Sequence, residues 1–204
     1  MNNILIISIS IVTAYVIGSI PTAYLFGRAF KGIDIRKFGS GNVGATNVYR
    51  VIGKAPGFAV LFIDGLKGFL PALIFPLLIR NFDISVSIDS YKIIVGLSVI
   101  IGHVWTVFLN FKGGKGVAAT AGVLLAILPK LFLIALVVWI ISLVISRYVS
   151  VSSIIASISL PIAAFICEKP NEILSFTVFL CLASIYKHKS NIQRLLKGQE
   201  KRIF

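Results

Sequence analysis

The sequence predicts an all-α polytopic membrane protein with about seven transmembrane helices, several of them short. Of its 204 residues, 57% are hydrophobic and only 13% are charged, whereas a soluble domain carries about a quarter charged residues. The mean hydropathy is +0.98, and the apolar residues fall into seven separate runs. No linker divides the chain, so we expect one integral-membrane domain over residues 1–204.

The first three apolar runs, about 4–26, 56–79 and 91–111, are each long enough to cross a membrane, since the hydrocarbon core takes about 20 helical residues. Pro21 lies near the end of the first run. We expect it to kink that helix, because proline removes a helical hydrogen bond. The fourth run, 117–128, is short.

The last three runs are also shorter than a nominal span, at about 131–145, 151–166 and 173–186. We expect Pro161 to interrupt the second of these. Short spans thin the bilayer or extend through their polar flanks. A five-span alternative joins the runs on either side of Pro129 and leaves one later segment re-entrant.

Basic residues are distributed unequally between the two ends of the predicted spans. With seven spans, fifteen of the 20 Lys and Arg residues fall on one side, which holds the loop at 30–55, the turns at 112–116 and 147–150, and the C-terminal tail. Because loops rich in Lys and Arg stay in the cytoplasm, the N-terminus is predicted outside and the C-terminus inside. The net charge of +13 is explained by these cytoplasmic loops and by attraction to anionic lipids or substrates. We therefore expect no nucleic-acid partner. The four basic residues on the outer side are Arg80, Lys92, Lys130 and Lys169.

A polar stretch at residues 39–47, here called the glycine loop, contrasts with the apolar remainder of the chain. Its glycines allow a sharply folded backbone that turns successive N–H groups toward one anion. The guanidinium of Arg50 is a forked donor for the same anion. The alternative is a tight turn between helices, where glycine, asparagine and serine are also common. The candidate anion-binding residues are Gly39, Ser40, Gly41, Asn42, Gly44, Thr46, Asn47 and Arg50.

A second glycine-rich segment, residues 112–116, is here called the lysine turn. Gly113 and Gly114 precede Lys115, so the backbone can approach a ligand closely while the ammonium reaches it. In the C-terminal tail, His188 and Asn191 are three residues apart and would share one side of a helix. The predicted topology brings these residues and the glycine loop to the cytoplasmic face. The other tail cations are interpreted as solvated, positive-inside residues.

Three ionisable residues lie inside predicted spans. Asp64 and Lys67 are three residues apart on one helical face. We favour a mutual ion pair that packs the spans over contact with a ligand. His103 lies in an apolar run beside Trp105, and we interpret it as a structural histidine rather than a catalytic one.

Five motifs occur in order along the chain: GSIPTAY, GSGNVGATN, DGLKG, GH followed by FKGGKGVA, and HKSNIQRL. With these motifs the chain resembles the bacterial membrane glycerol-3-phosphate acyltransferases that use acyl-phosphate as donor, the PlsY family. The resemblance covers essentially the whole length. It implies a small multi-span helical enzyme of the bacterial cytoplasmic membrane, with its active site facing the cytoplasm.

The resemblance implies transfer of a fatty acyl group from acyl-phosphate to the 1-hydroxyl of glycerol 3-phosphate. The products are lysophosphatidic acid and phosphate, in the first step of phospholipid synthesis. Acyl-phosphate is a mixed anhydride with a good leaving group, and no Ser–His–Asp set is apparent, so we expect no covalent acyl-enzyme. The expected partners are the two substrates and the lipid bilayer. We expect no cofactor, no bound metal and a monomer.

We assign these residues to the two phosphate-bearing substrates as a hypothesis. The glycine loop with Ser40 and Asn42 holds the phosphate of acyl-phosphate, and Arg50 and Lys115 hold glycerol 3-phosphate. The hydroxyl proton goes either to His188 or to a phosphate oxygen of the donor. The catalytic residues are Ser40, Lys115 and His188, and the substrate-binding residues are Gly39, Gly41, Asn42, Gly44, Thr46, Asn47, Arg50, Gly113, Gly114 and Asn191.

A small transporter of phosphate esters or other anions is the rival interpretation, because basic groups within kinked spans suit one. A transporter is expected to have matched halves and polar groups that reach the midplane. Here the polar groups cluster on one predicted face, and no internal repeat is evident. A non-catalytic membrane-assembly subunit would leave the glycine loop and the lysine turn unexplained.

Overall fold

The computed structural model describes residues 3–79, 82 and 86–204, and every regular element in this part is helical. The all-α prediction is thus confirmed for the described residues. Arg80, which the charge count assigns to the outer side, lies outside them. The helices are α1 (Asn3–Ser19), α2 (Thr22–Lys31), α3 (Ala45–Val51), α4 (Lys54–Leu78), α5 (Ile88–Val104), α6 (Val117–Ile127), α7 (Pro129–Ser146), α8 (Val149–Ile166), α9 (Asn171–Lys187) and α10 (Lys189–Leu196), with 3₁₀ turns at Ile35–Lys37 and Val107–Leu109.

Each of the seven predicted apolar runs lies on helical chain, and the first of them spans both α1 and α2. α6 has 11 residues and α9 has 17, so both are shorter than a nominal span. The count of seven spans therefore stays a prediction. Within the described part, five helical segments are long and apolar enough to cross a membrane: Asn3–Lys31, Lys54–Leu78, Ile88–Leu109, Pro129–Ser146 and Val149–Ile166.

Three prolines were expected to shape the spans. Pro21 breaks the first run, since α1 ends at Ser19 and α2 begins at Thr22. Pro161 lies inside a continuous α8, so the predicted interruption there was wrong. Proline removes one hydrogen bond of a helix, a loss that transmembrane helices tolerate. Pro129 begins α7 after a break at Leu128, so the long helix of the five-span alternative is not formed.

The chain divides into two compact units, Met1–Ile127 and Leu128–Phe204. In the first unit α1 packs along α5, and α4 packs along α3, α5 and α6. In the second unit α8 packs against both α7 and α9. The single domain expected from the sequence stays a prediction.

Two apolar clusters lie among the described residues of the first unit. One joins α1, α4 and α5, and the other packs beneath the glycine loop and joins it to α2, α3 and α4. The loop is therefore held on a rigid apolar base rather than suspended between helices. The first cluster comprises Ile6, Ala14, Ile79, Tyr91, Val95 and Val99, and the second comprises Ala23, Ile35, Val43, Val48, Val60 and Leu109.

Candidate active site

The site is built around the break between α1 and α2, where helical hydrogen bonds are missing. Buried backbone carbonyls need a partner, because leaving one unpaired is costly. Thr106 Oγ1 donates to Ser19 O at 2.5 Å, and Lys67 Nζ donates to Ile20 O at 2.8 Å. Side chains from other elements thereby hold this break in one conformation.

A buried network surrounds the Asp64 carboxylate, which is 2% exposed. Lys67 Nζ lies 2.7 Å from Asp64 Oδ1, and Thr22 Oγ1 donates to the same oxygen at 2.9 Å. His103 Nδ1 is 3.8 Å from it. We call Thr22, Asp64, Lys67 and His103 the buried network. The predicted Asp64–Lys67 ion pair is confirmed, and it has two further neighbours that the sequence interpretation did not assign to it.

The glycine loop is organised by the buried side chain of Asn47. Its Oδ1 accepts from Ser40 N at 2.8 Å, and its Nδ2 donates to the carbonyls of Ile35 at 3.2 Å and Phe38 at 3.0 Å. Gly39 has φ of 62°, and a side-chain carbon there would collide with the Asn47 amide. Asn47 therefore has a structural role, and substrate binding by this residue stays a prediction.

Two backbone amides of the glycine loop are already engaged. Ser40 N donates to Asn47, and Gly41 N donates to Phe38 O at 3.0 Å. They are not available to an anion, contrary to the simplest form of the sequence interpretation. The capacity of this region to bind a phosphate thus depends mainly on side chains, among them the exposed Ser40 and the half-buried Arg50 on α3.

The lysine turn folds back onto the end of α5. Gly113 N donates to Val104 O at 3.2 Å, and Gly114 N donates to His103 O at 3.1 Å. A side-chain carbon on Gly114 would lie 2.7 Å from Val43 O and would also meet His103 Nε2. The lysine turn therefore touches both the glycine loop and the buried network, with Lys115 as the next residue.

Residues of the glycine loop, the lysine turn and the buried network line one small pocket in the first unit. The sequence prediction that the glycine loop and the lysine turn lie together is confirmed by the contact between Val43 and Gly114. The buried network had not been expected at the same place. The pocket is lined by Ser19, Ile20, Pro21, Thr22, Val43, Asp64, Lys67, His103, Thr106, Gly113 and Gly114.

Some residues of this pocket were missed by sequence reasoning. Thr22 follows Pro21, and Thr106 lies just after the end of α5. Single hydroxyl residues are common in membrane helices, so neither threonine indicated a site from the sequence. A usable signal was the costly pair Asp64 and Lys67, because intramembrane charges usually mark functional sites. The ion pair gave no indication of which other spans it would contact.

His188 and Asn191 belong to the second unit. His188 is 2% exposed, and its Nδ1 donates to Ser184 O at 2.8 Å. The neutral imidazole then carries its basic lone pair on Nε2. Asn191 Nδ2 donates to Glu200 Oε1 at 2.6 Å. The catalytic role of His188 and the substrate-binding role of Asn191 stay predictions.

Glu200 is the only acidic residue of the C-terminal tail, and the sequence interpretation missed it. It accepts hydrogen bonds from Ser150 at 3.1 Å, Asn191 at 2.6 Å and Arg194 at 2.7 Å. Burial raises the pKa of the Glu200 carboxyl, but these hydrogen bonds outweigh burial, so its pKa lies below the ordinary glutamate value. Arg194 is thus ion-paired rather than simply solvated, and the tail folds onto α8 and α10.

We expect Glu200→Gln to lower the free energy of unfolding by about 1–3 kcal/mol at pH 7, since Arg194 loses its charged partner. Because the folded pKa is depressed, this contribution is present above the ordinary glutamate pKa of about 4.3 and is lost as the pH falls through the folded value. The stability gap between wild type and variant should therefore narrow below about pH 4. Thermal unfolding in detergent across this pH range measures it.

The exposed Glu168 provides a control in the same unit. Glu168→Gln should change stability by no more than about 0.5 kcal/mol. The structural role of Glu200 would be refuted if Glu200→Gln melted like wild type at pH 7. It would also be refuted if the stability difference between variant and wild type stayed constant as the pH fell below about 4.

A family profile for glycerol-3-phosphate acyltransferase matches residues 8–198, which run through both units. A glycerol-3-phosphate acyltransferase of Desulforamulus reducens is 46% identical over 193 residues, covering 95% of this chain and 93% of the relative.

Two crystal structures of PlsY, an integral membrane glycerol 3-phosphate acyltransferase, are similar at 40% identity and cover 97% of this chain. The glycerol 3-phosphate form has a TM-score of 0.87 with 96% of its chain covered. The lysophosphatidic acid form has a TM-score of 0.83 with 95% covered. The resemblance inferred from the five motifs is confirmed. The chain therefore belongs to the glycerol-3-phosphate acyltransferase family.

Proposed function

We propose that this protein transfers a fatty acyl group from acyl-phosphate to the 1-hydroxyl of glycerol 3-phosphate, forming lysophosphatidic acid and inorganic phosphate. The observation that carries the proposal is the contact of Val43 with Gly114, which joins the glycine loop to the lysine turn. Two segments that each bear polar or cationic side chains thereby meet at one pocket, as a reaction between two phosphate-bearing substrates requires.

The chemistry needs positioning more than a protein nucleophile. The hydroxyl oxygen of glycerol 3-phosphate attacks the acyl carbon, and the bond from that carbon to the phosphate oxygen breaks with its electron pair leaving on phosphate. An enzyme contributes by holding the reacting atoms about 3–3.5 Å apart and by stabilising the developing negative charge. Fixed cations such as Arg50 and Lys115 suit both tasks, so no covalent acyl-enzyme is required.

We assign the phosphate of acyl-phosphate to Ser40 and Asn42, and that of glycerol 3-phosphate to Arg50 and Lys115. The exposure of Ser40 at the surface of the glycine loop supports the first assignment. The proximity of Gly114 to the pocket supports the second. Gly113 acts by close packing, because its amide is engaged by Val104.

We further propose seven spans in the bacterial cytoplasmic membrane, with the N-terminus outside and the active site facing the cytoplasm. The unequal distribution of Lys and Arg supports this orientation. The closeness of the glycine loop to the lysine turn supports it as well, since Arg50 follows the loop, Lys115 lies in the turn and both are predicted on the inner side. The acyl chain of the donor then enters from the bilayer, while the acceptor comes from water.

The direct test uses the purified protein with acyl-phosphate and glycerol 3-phosphate, and measures lysophosphatidic acid and released phosphate. We expect equal amounts of the two products, no acyl-enzyme on intact-protein mass spectrometry, and unchanged turnover with a metal chelator. Failure to form lysophosphatidic acid, combined with uptake of glycerol 3-phosphate into proteoliposomes lacking acyl-phosphate, would favour the transporter instead.

His188→Ala distinguishes the two proposed proton acceptors. If a phosphate oxygen of the donor takes the proton, the variant should keep kcat within about tenfold of wild type and raise the KM for glycerol 3-phosphate, because only binding is weakened. If His188 is the base, kcat should fall by about 10²–10⁴-fold. We expect the first result, and steady-state kinetics on the correctly inserted variant decides between them.

A further inference from the structure

We propose that the buried network of Thr22, Asp64, Lys67 and His103 is a positioning element for the lysine turn and thereby sets the affinity for glycerol 3-phosphate. The inference rests on the acyltransferase function proposed above. None of the four side chains is assigned to either substrate. They act through the backbone of the turn that carries Lys115.

Packing alone gives little reason for an ion pair inside an apolar helix. The Asp64 and Lys67 side chains are 3% and 7% exposed, and such pairs can often be replaced by apolar residues without loss of stability. Here each charge makes a directional contact outside α4. Lys67 donates to Ile20 O, and Asp64 accepts from Thr22, so the pair ties α4 to both sides of the α1–α2 break.

The contacts continue from the carboxylate to the lysine turn through His103. The ring Nδ1 of His103 is 3.8 Å from Asp64 Oδ1. Its Nε2 lies within collision distance of the position that a Cβ on Gly114 would take. The backbone carbonyl of His103 accepts a hydrogen bond from Gly114 N at 3.1 Å. His103 is thus held between the carboxylate and the turn, so a shift of Asp64 moves the ring that supports Gly114.

The position of Gly114 matters because Lys115 is covalently next to it. Val43 O of the glycine loop also lies close to Gly114, 2.7 Å from the position that a Cβ would take, so the turn has little room to relax toward the loop. A displaced turn would move the Lys115 ammonium away from the acceptor phosphate. That contact exists in both the ground state and the transition state, so its loss raises KM more than it lowers kcat.

Thr22→Val and Asp64→Asn test this role. Thr22→Val removes the hydrogen bond to Asp64, and Asp64→Asn removes the negative charge that pairs with Lys67. Both leave every proposed substrate-binding residue in place. We expect the KM for glycerol 3-phosphate to rise about three- to tenfold, which is the loss of one hydrogen bond converted to affinity. The kcat and the KM for acyl-phosphate should stay within about twofold. Thr22→Ser keeps the hydroxyl and should restore the wild-type KM.

A matched control comes from α5, where Asp89 and Lys92 form a pair with the same three-residue spacing at 2.9 Å but with exposed side chains. Asp89→Asn should leave all kinetic constants unchanged. Melting temperatures in detergent verify that each variant is folded. Thr22→Val retains both charges and the shape of the side chain, so it gives an answer even where Asp64→Asn fails to insert.

The outcomes separate this inference from the proposed function. A selective rise in the KM for glycerol 3-phosphate, reversed in Thr22→Ser, supports the positioning role. An unchanged KM in folded Thr22→Val, or an equal loss for both substrates, overturns it while the acyltransferase function stands. If wild-type protein makes no lysophosphatidic acid from the two substrates, the proposed function itself fails.

Discussion

Lys115→Ala is expected to lower kcat/KM for glycerol 3-phosphate by about 10²–10³-fold, mainly by raising KM, because the acceptor phosphate loses its charged partner. The residue follows directly on Gly114, which lies at the contact between the lysine turn and the glycine loop. A neutral methyl group there leaves an acceptor phosphate without that cation. Release of inorganic phosphate from acyl-phosphate plus glycerol 3-phosphate is the measurement.

Lys112→Ala is the matched control, because this exposed lysine lies three residues earlier in the same turn, whereas Lys115 is partly buried. Removing it changes the net charge by the same amount, and we expect turnover within about twofold of wild type. Near-normal turnover in correctly inserted Lys115→Ala would refute the assignment. An equal loss in both variants would point to general electrostatic attraction of the substrate instead of a specific contact.

Gly114→Ala is expected to lower kcat/KM by about 10²-fold, since a displacement of about 1 Å between positioned groups costs that much. The added methyl carbon would lie 2.7 Å from Val43 O and would also collide with His103 Nε2. One of these neighbours is backbone and the other is a buried ring, so neither can move aside easily. We also expect a stability loss of about 1–3 kcal/mol from overpacking.

Gly65→Ala, in the interior of α4, separates this steric effect from glycine substitution in general. A side-chain carbon there would have Ala118 O as its nearest neighbour, at an ordinary contact distance of 3.9 Å. We expect normal activity and a stability gain of about 0.4–1 kcal/mol, because alanine restricts the unfolded chain. Wild-type kinetics in Gly114→Ala would mean that the closeness of the two glycine-rich segments is not needed for turnover.

Much of the fold was predictable because hydrophobic length and proline position act locally. The apolar runs anticipated the helices, and Pro21 marked the break between α1 and α2. The effect of Pro161 was not predictable in the same way, since whether a proline breaks a helix depends on what surrounds it. The shortness of α6 and α9 leaves the number of spans as a prediction.

The candidate site was predictable in composition and less so in detail. The glycine loop and the lysine turn were expected to share one face, and Val43 does meet Gly114. The sequence interpretation treated the loop amides as free for an anion, whereas the Asn47 side chain and Phe38 O engage two of them. Such hydrogen bonds depend on how the loop closes, which residue types alone do not specify.

The amino-acid sequence predicted a helical, apolar chain, a concentration of cations on one side of the spans, and two glycine-rich segments as the location of the polar chemistry. These properties follow from composition and spacing along the chain. The packing of the folded chain brings the Asp64–Lys67 pair to Ile20, Thr22 and His103, and places three hydrogen-bond donors around Glu200. Contacts between residues distant in sequence depend on how the helices pack, and composition and spacing do not specify that packing.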